Sequence, residues 1–179
     1  GDYAINVVER SGEVYDKGVT FTAQAIEELK VLNAAVGEVF ALTIGAFTQD
    51  DLEEAGRVEP LEETIDLICE TLRERHIMRL KRGECNIDAG IIFLEVLTNY
   101  ERISDHCSNV AARLISIEGE ALDPHALRRS LHAGDVPRYN ELALYYREKY
   151  HTLLSAAAPD DEPDPAPLLS AAPAAAEAE

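Results

Sequence analysis

Basic residues are scarce in this chain: 16 Lys and Arg stand against 34 Asp and Glu, a formal net charge of -18 over 179 residues. So acidic a chain repels phosphate backbones, which argues against nucleic acid as a partner. Cysteine is scarcer still. The three present, Cys69, Cys85 and Cys107, form no C-x-x-C pair and leave one over after any disulfide. Reduced thiols in a cytoplasmic setting are expected. No run approaches the roughly 18 apolar residues of a membrane span, and no signal peptide is expected at the start. The chain also lacks a glycine-rich phosphate loop and any set of nucleophile, base and orienting group. Nothing alternates as a β-strand does. What remains is one all-α domain of ordinary size, acidic enough to suit cations.

Helical periodicity fills that space. Apolar residues Ala25, Leu29, Leu32, Val36, Val39, Phe40, Thr43 and Phe47 predict a long amphipathic helix from residue 21 to about 48, capped by Thr20 or Thr22. A polar turn at 49–51, with Asp50 as cap, leads to a second helix ending near Arg82, kinked at Pro60. Val58, Ile65, Cys69, Leu72 and His76 form its buried face. Arg79, Lys81 and Arg82 before Gly83 suit a helix C-terminus, where cations meet the negative end of the dipole. A third helix spans about 87–118, a short one 124–132, and an aromatic-rich one about 137–154. Residues 1–19 read as the end of a preceding helix with its connector. Residues 155–179, almost wholly Ala, Pro, Asp and Glu, cannot bury a core and are expected to be disordered. The architecture is an antiparallel bundle of three to four helices over 20–154.

Two of the helices carry carboxylates where apolar residues are expected. In the second, Glu62 interrupts the run Val58, Ile65, Cys69, Leu72, and Asp66 follows one turn later. In the third, Glu101 falls on the stripe Leu94, Leu97, Ser104, Ser108, Ala111, Ile115, with Asp105 four residues on. Neighbouring negative charges repel unless a cation lies between them or one holds a proton. Residues 1–7 echo 104–110, sharing Asp2/Asp105, Asn6/Asn109 and Val7/Val110, which reads as the trace of an internal repeat. In that reading the chain begins inside a helix. Four carboxylates in one bundle offer hard oxygen ligands that favour Mg, Mn or Fe, with Zn also compatible. The competing expectation leaves these acids solvated or pairs them with Arg73, Arg75 and Arg102 across the bundle edge. A di-iron oxidase is excluded, because its Glu-x-x-His spacing occurs only at Glu148 and His151 near a helix end.

The segments Val58-Glu59-Pro60-Leu61-Glu62-Glu63-Thr64-Ile65-Asp66 and Asn99-Tyr100-Glu101-Arg102-Ile103-Ser104-Asp105-His106-Cys107-Ser108-Asn109 resemble the PhoU family. They are most similar to the PhoU-like cytoplasmic domain at the C-terminus of bacterial sodium/phosphate cotransporters. The resemblance covers about residues 1–153. It implies two tandem three-helix bundles, of which this chain holds about one, and control of phosphate uptake without catalysis. It also implies metal ligation by Glu62, Asp66, Glu101 and Asp105, with Asp2 closing the motif of the other repeat. The implied partner is a transmembrane phosphate-transport domain in the same full-length chain, which places the domain at the cytoplasmic face of the cell membrane. A second copy of the chain is a further candidate partner. The alternative is a metal-free helical adaptor, docking proteins on a face of Tyr139, Tyr145 and Tyr146.

Overall fold

The computed structural model describes residues 20–118 and 137–157. The expected N-terminal connector, the short helix at 124–132 and the tail from 158 onward lie outside the described residues. So does Asp2.

The described residues form four helices: α1 (Ala23–Gln49), α2 (Leu52–Lys81), α3 (Ile87–Glu118) and α4 (Pro137–Ala157), with no strand among them. The all-α bundle expected from the periodicity is the fold observed. Local chemistry sets the helix ends. Thr22 caps α1, its hydroxyl accepting from the Ala25 N–H at 3.1 Å. The α1–α2 turn differs from expectation. Asp51 is the N-cap of α2, accepting from the Glu53 and Glu54 N–H groups, whereas Asp50 closes α1 in the left-handed region at φ 52°. A β-carboxylate tolerates that conformation better than most side chains, so consecutive aspartates divide the turn between them. Gly83 supplies φ 73° after α2, and Asn86 caps α3 through the Ala89 N–H at 2.7 Å.

α2 runs from Leu52 to Lys81 as one helix through Pro60. It is the centre of the bundle, packing against α1, α3 and α4, while α4 lies across α2 and α1. The core joins Leu32, Val39, Leu61, Ile65, Phe93 and Leu97 with Tyr146, Tyr150 and Leu154. α4 extends to Ala157, three residues past its expected end at Leu154.

Two expected core positions are corrected. Phe40 and Phe47 of α1 face outward, because α2, α3 and α4 together cover only the side carrying Leu32, Val36, Val39 and Thr43. On α3 the stripe containing Glu101 faces inward, as expected: Leu97, Ser104, Ser108 and Ala111 are buried. α1 is also long and apolar enough to cross a membrane by length and composition, with mean hydropathy 1.6 over its best 18 residues. Glu38 and polar residues such as Asn33 and Thr43 interrupt its apolar runs while the average stays high, which is why counting uninterrupted runs misses it.

Candidate functional site: the carboxylates of α2 and α3

The four motif carboxylates share two helices but not one environment. Glu62 is buried on α2, Asp66 is exposed one turn later, Glu101 is half-buried on α3, and Asp105 is exposed. The helical spacing explains this pattern. A step of four residues advances 400°, so each aspartate lies about 40° around from its glutamate, enough to leave the seam.

Glu62 belongs to an acidic group beneath α4. It lies with Glu59 and Glu63 around the Tyr139 hydroxyl; burial first, then these three negative charges, raise the Tyr139 pKa well above its usual value. Arg147 approaches Glu63 at 3.6 Å, and the Ser108 hydroxyl of α3 donates a short hydrogen bond to Glu59. A cation at Glu63 and a hydroxyl donor at Glu59 thus offset part of the cost of burying those two carboxylates.

Asp66 and Glu101 act elsewhere, both placing negative charge near Cys69. The Cys69 thiol is buried and directed at the Leu97 carbonyl, 3.9 Å away. Burial raises its pKa, and the charges of Glu101 and Asp66 raise it further. Arg73, on the same side, donates from Nη2 to Glu101 Oε1 at 2.8 Å, and that bond in turn raises the guanidinium pKa. The ion pair expected for Glu101 is present. Arg75 does something different.

Arg75 and Arg79, one turn apart on α2, both converge on Glu28 of α1. Nη1 of Arg75 donates to Oε1 at 3.1 Å and Nη2 of Arg79 to Oε2 at 2.7 Å; all three side chains are fully buried. Beside them His76 stacks on Phe93 with centroids 4.5 Å apart, and Phe21 meets the same ring edge-on. Neither His76 ring nitrogen has a hydrogen-bond partner. Gly90 permits this packing: a Cβ there would stand 3.0 Å from Nε2. Burial, and then Arg79, lower the His76 pKa, with Glu28 opposing. Sequence reasoning placed His76 in the core correctly but missed the triad. The signal was present, because Glu28 falls between Ala25 and Leu32 on the α1 stripe as Glu62 does on α2.

α4 is held by a similar division of charge. Each of its cations meets an acid of α1 or α2: Arg138 with Glu53 at 2.5 Å, Arg147 with Glu63, and Lys149 with Glu38 at 2.6 Å. Tyr150 also donates to Glu38, at 2.5 Å, and Arg57 Nε donates to the Tyr146 hydroxyl at 3.2 Å. Tyr139 and Tyr146 are buried in this seam and only Tyr145 is exposed, so the tyrosine docking face of the adaptor alternative is largely used internally.

Among the described residues, no three His, Cys, Asp or Glu side chains are gathered so as to hold one metal ion. As placed, Glu62 belongs to the α4 seam, Glu101 and Asp66 act on the Cys69 side, and Asp105 is exposed. The thiols are no better prepared for nucleophilic chemistry, since burial raises the pKa of Cys69, Cys85 and Cys107 alike. What the arrangement offers is a rigid bundle with charged and apolar faces.

Residues 29–114, most of α1 through nearly all of α3, match the sequence model of the PhoU domain. The chain is also similar to a phosphate-specific transport system accessory protein, PhoU homolog 1, of Thermotoga maritima. The two are 23% identical over 118 residues, covering 66% of this chain and 50% of the relative. The chain thus spans about half the length of the curated relative it matches. No solved structure gives a significant match.

Proposed function

We propose that this chain, whose residues 29–114 match the PhoU domain, is a non-catalytic regulatory module of phosphate transport. The observation that carries the reading is that match, which falls on the three helices forming the bundle centre. The name of the Thermotoga relative, an accessory protein of phosphate-specific transport, supports the same direction. The finer reading follows the motif resemblance. The module works at the cytoplasmic face of the membrane, beside a transmembrane phosphate-transport domain of a sodium/phosphate cotransporter in the same full-length protein. It acts by contact, changing which surfaces the transport domain meets.

Metal enters this proposal in a restricted form. Glu62, Asp66, Glu101 and Asp105 would need groups beyond the described residues, Asp2 among them, to complete a ligand set, and Arg73 would have to release Glu101. Phosphate uptake by cells producing the intact transporter tests the regulatory reading. Disruption of this bundle should change the rate or its response to external phosphate. Unchanged uptake across phosphate concentrations would remove the regulatory role. Metal content of the purified chain, with and without Arg73→Ala, tests the metal clause separately.

A further inference from the structure

α4 runs against the charge of the rest of the chain. It carries three cations, Arg138, Arg147 and Lys149, against two acids, Glu141 and Glu148, while the whole chain stands at -18. Its charges are also sorted by side. Glu141 and Glu148 are exposed, whereas each cation meets an acid of α1 or α2. The surface beneath is the converse. Glu38 of α1 and Glu53, Glu59, Glu62 and Glu63 of α2 lie along the seat, interrupted by Arg57, which donates to Tyr146. Between the charges runs a stripe of α4, Tyr139, Ala143, Tyr146, Tyr150 and Leu154, at steps of three and four and buried throughout.

We propose that this acidic seat is a docking groove for an amphipathic helix carrying Arg or Lys beside an aromatic stripe, and that α4 fills it as the internal competitor of such a helix from a partner protein. The make-up of the seam sets how readily it parts. Interfaces that stay closed are predominantly apolar, and those that open and close are more polar. The carboxylates of this seat, the buried Glu59 and Glu62 among them, return to water once α4 leaves, which recovers part of the cost of burying them. The rest of the bundle does not need α4 for its own contacts. α1, α2 and α3 all pack on one another, and the match to the PhoU domain ends before α4 begins.

Charge also fixes which helices the groove accepts. A helix with acids on its inward side would set like charges against Glu38, Glu53 and Glu63, so the seat that admits a basic helix refuses an acidic one. α4 has the advantage of covalent attachment, which gives it a high effective concentration at the groove. A partner helix displaces it by matching the same pattern of cations and rings more closely. This inference does not depend on the phosphate-transport reading.

A fluorescent peptide of residues 137–157, added to the full chain, tests it. The wild-type chain should bind the peptide weakly, because its own α4 fills the groove. Tyr146→Ala/Leu154→Ala loosens that α4 and leaves the residues of the seat unaltered. The double variant should bind the peptide at least about tenfold more tightly, in proportion to the fraction of vacant seats. A peptide with Arg138→Glu, Arg147→Glu and Lys149→Glu should bind it at least about tenfold more weakly than the wild-type peptide. Hydrogen exchange of the unaltered chain gives a second reading that needs no variant. Amides of α4 should exchange faster than those of α2, and about 0.5 M salt should speed α4 alone, because it screens the pairs that seat it. Equal peptide affinity for the wild-type chain and a folded double variant would overturn the proposal. So would a charge-reversed peptide that binds as well as the wild-type one, or α4 amides that exchange only with global unfolding. A double variant that pairs with its own copy by exchanging helices, and takes no peptide, would overturn it in favour of a second copy.

Discussion

Arg73 of α2 reaches across to Glu101 of α3 and donates to its carboxylate at 2.8 Å, with both side chains about a third exposed. The leading acid of the α3 motif is therefore neutralised from within the protein. Exposed pairs of this kind contribute little to stability. Arg73→Ala should lower the unfolding free energy by less than about 1 kcal/mol, measured by urea denaturation. Under the metal clause, the same variant should retain more Mn or Fe after desalting than wild type.

Glu28 predicts the opposite scale. Removing it leaves the guanidinium groups of Arg75 and Arg79 buried without the carboxylate they share. Glu28→Ala should cost about 3–5 kcal/mol, the range for breaking a buried ion pair from one side. Arg82→Ala, which removes a 3.9 Å surface contact to Glu84, should cost under about 0.5 kcal/mol. Comparable urea midpoints for the two variants would contradict the burial argument.

His76 makes the protein sensitive to mild acid. Its folded pKa lies below the 6.5 of the unfolded chain, because burial and Arg79 disfavour the imidazolium. Above about pH 7.5 both states hold it neutral and its contribution is complete. As pH falls through 6.5 the unfolded chain takes up a proton that the folded chain refuses, so stability declines until the folded group also titrates. His76→Phe should flatten the slope of unfolding free energy between about pH 7 and 5.5, which a series of urea titrations will show.

The thiols report on local opening. Cys69 and Cys107 are buried, whereas Cys85 sits partly exposed in the α2–α3 turn. A disulfide reagent should modify Cys85 first. Cys69, sealed against the Leu97 carbonyl, should react at least about 100-fold more slowly, at a rate that follows the bundle's opening equilibrium.

α4 docking should be divisible into hydroxyl and packing contributions. Tyr150→Phe removes one donor to Glu38 but leaves Lys149 bonded to the same carboxylate, so a loss of about 1 kcal/mol is expected. Leu154→Ala, at a fully buried site, should cost about 2–5 kcal/mol. Limited proteolysis should show α4 released sooner in the leucine variant than in the tyrosine one.

The fold was legible in the sequence wherever apolar spacing repeated over several turns. α2's buried face, Val58, Ile65, Cys69, Leu72 and His76, was read correctly because the central helix is covered on nearly every side. α1 was harder. Its apolar residues exceed what one seam can bury, so periodicity alone could not assign Phe40 and Phe47 to the outside. The carboxylate motifs were legible as anomalies but not as geometry. Spacing along one helix says which residues share a face. It says nothing of which cation, Arg73 or Arg147, arrives from elsewhere on the bundle. The Asp50–Asp51 turn was misassigned by one residue for a local reason, since both aspartates suit a turn and only the backbone angle separates their roles.

The Glu28 triad also fixes how α1 and α2 can move. Arg75 and Arg79 grip the two oxygens of one carboxylate from successive turns of a single helix. A slip of one helical turn, about 5.4 Å, would carry Glu28 past at least one guanidinium and strand a charge in the core. The α1–α2 hairpin is therefore locked in register and cannot transmit a signal by ratcheting. Among the described helices, α4 is seated on α1 and α2 by tyrosines and by the Arg138, Arg147 and Lys149 pairs instead.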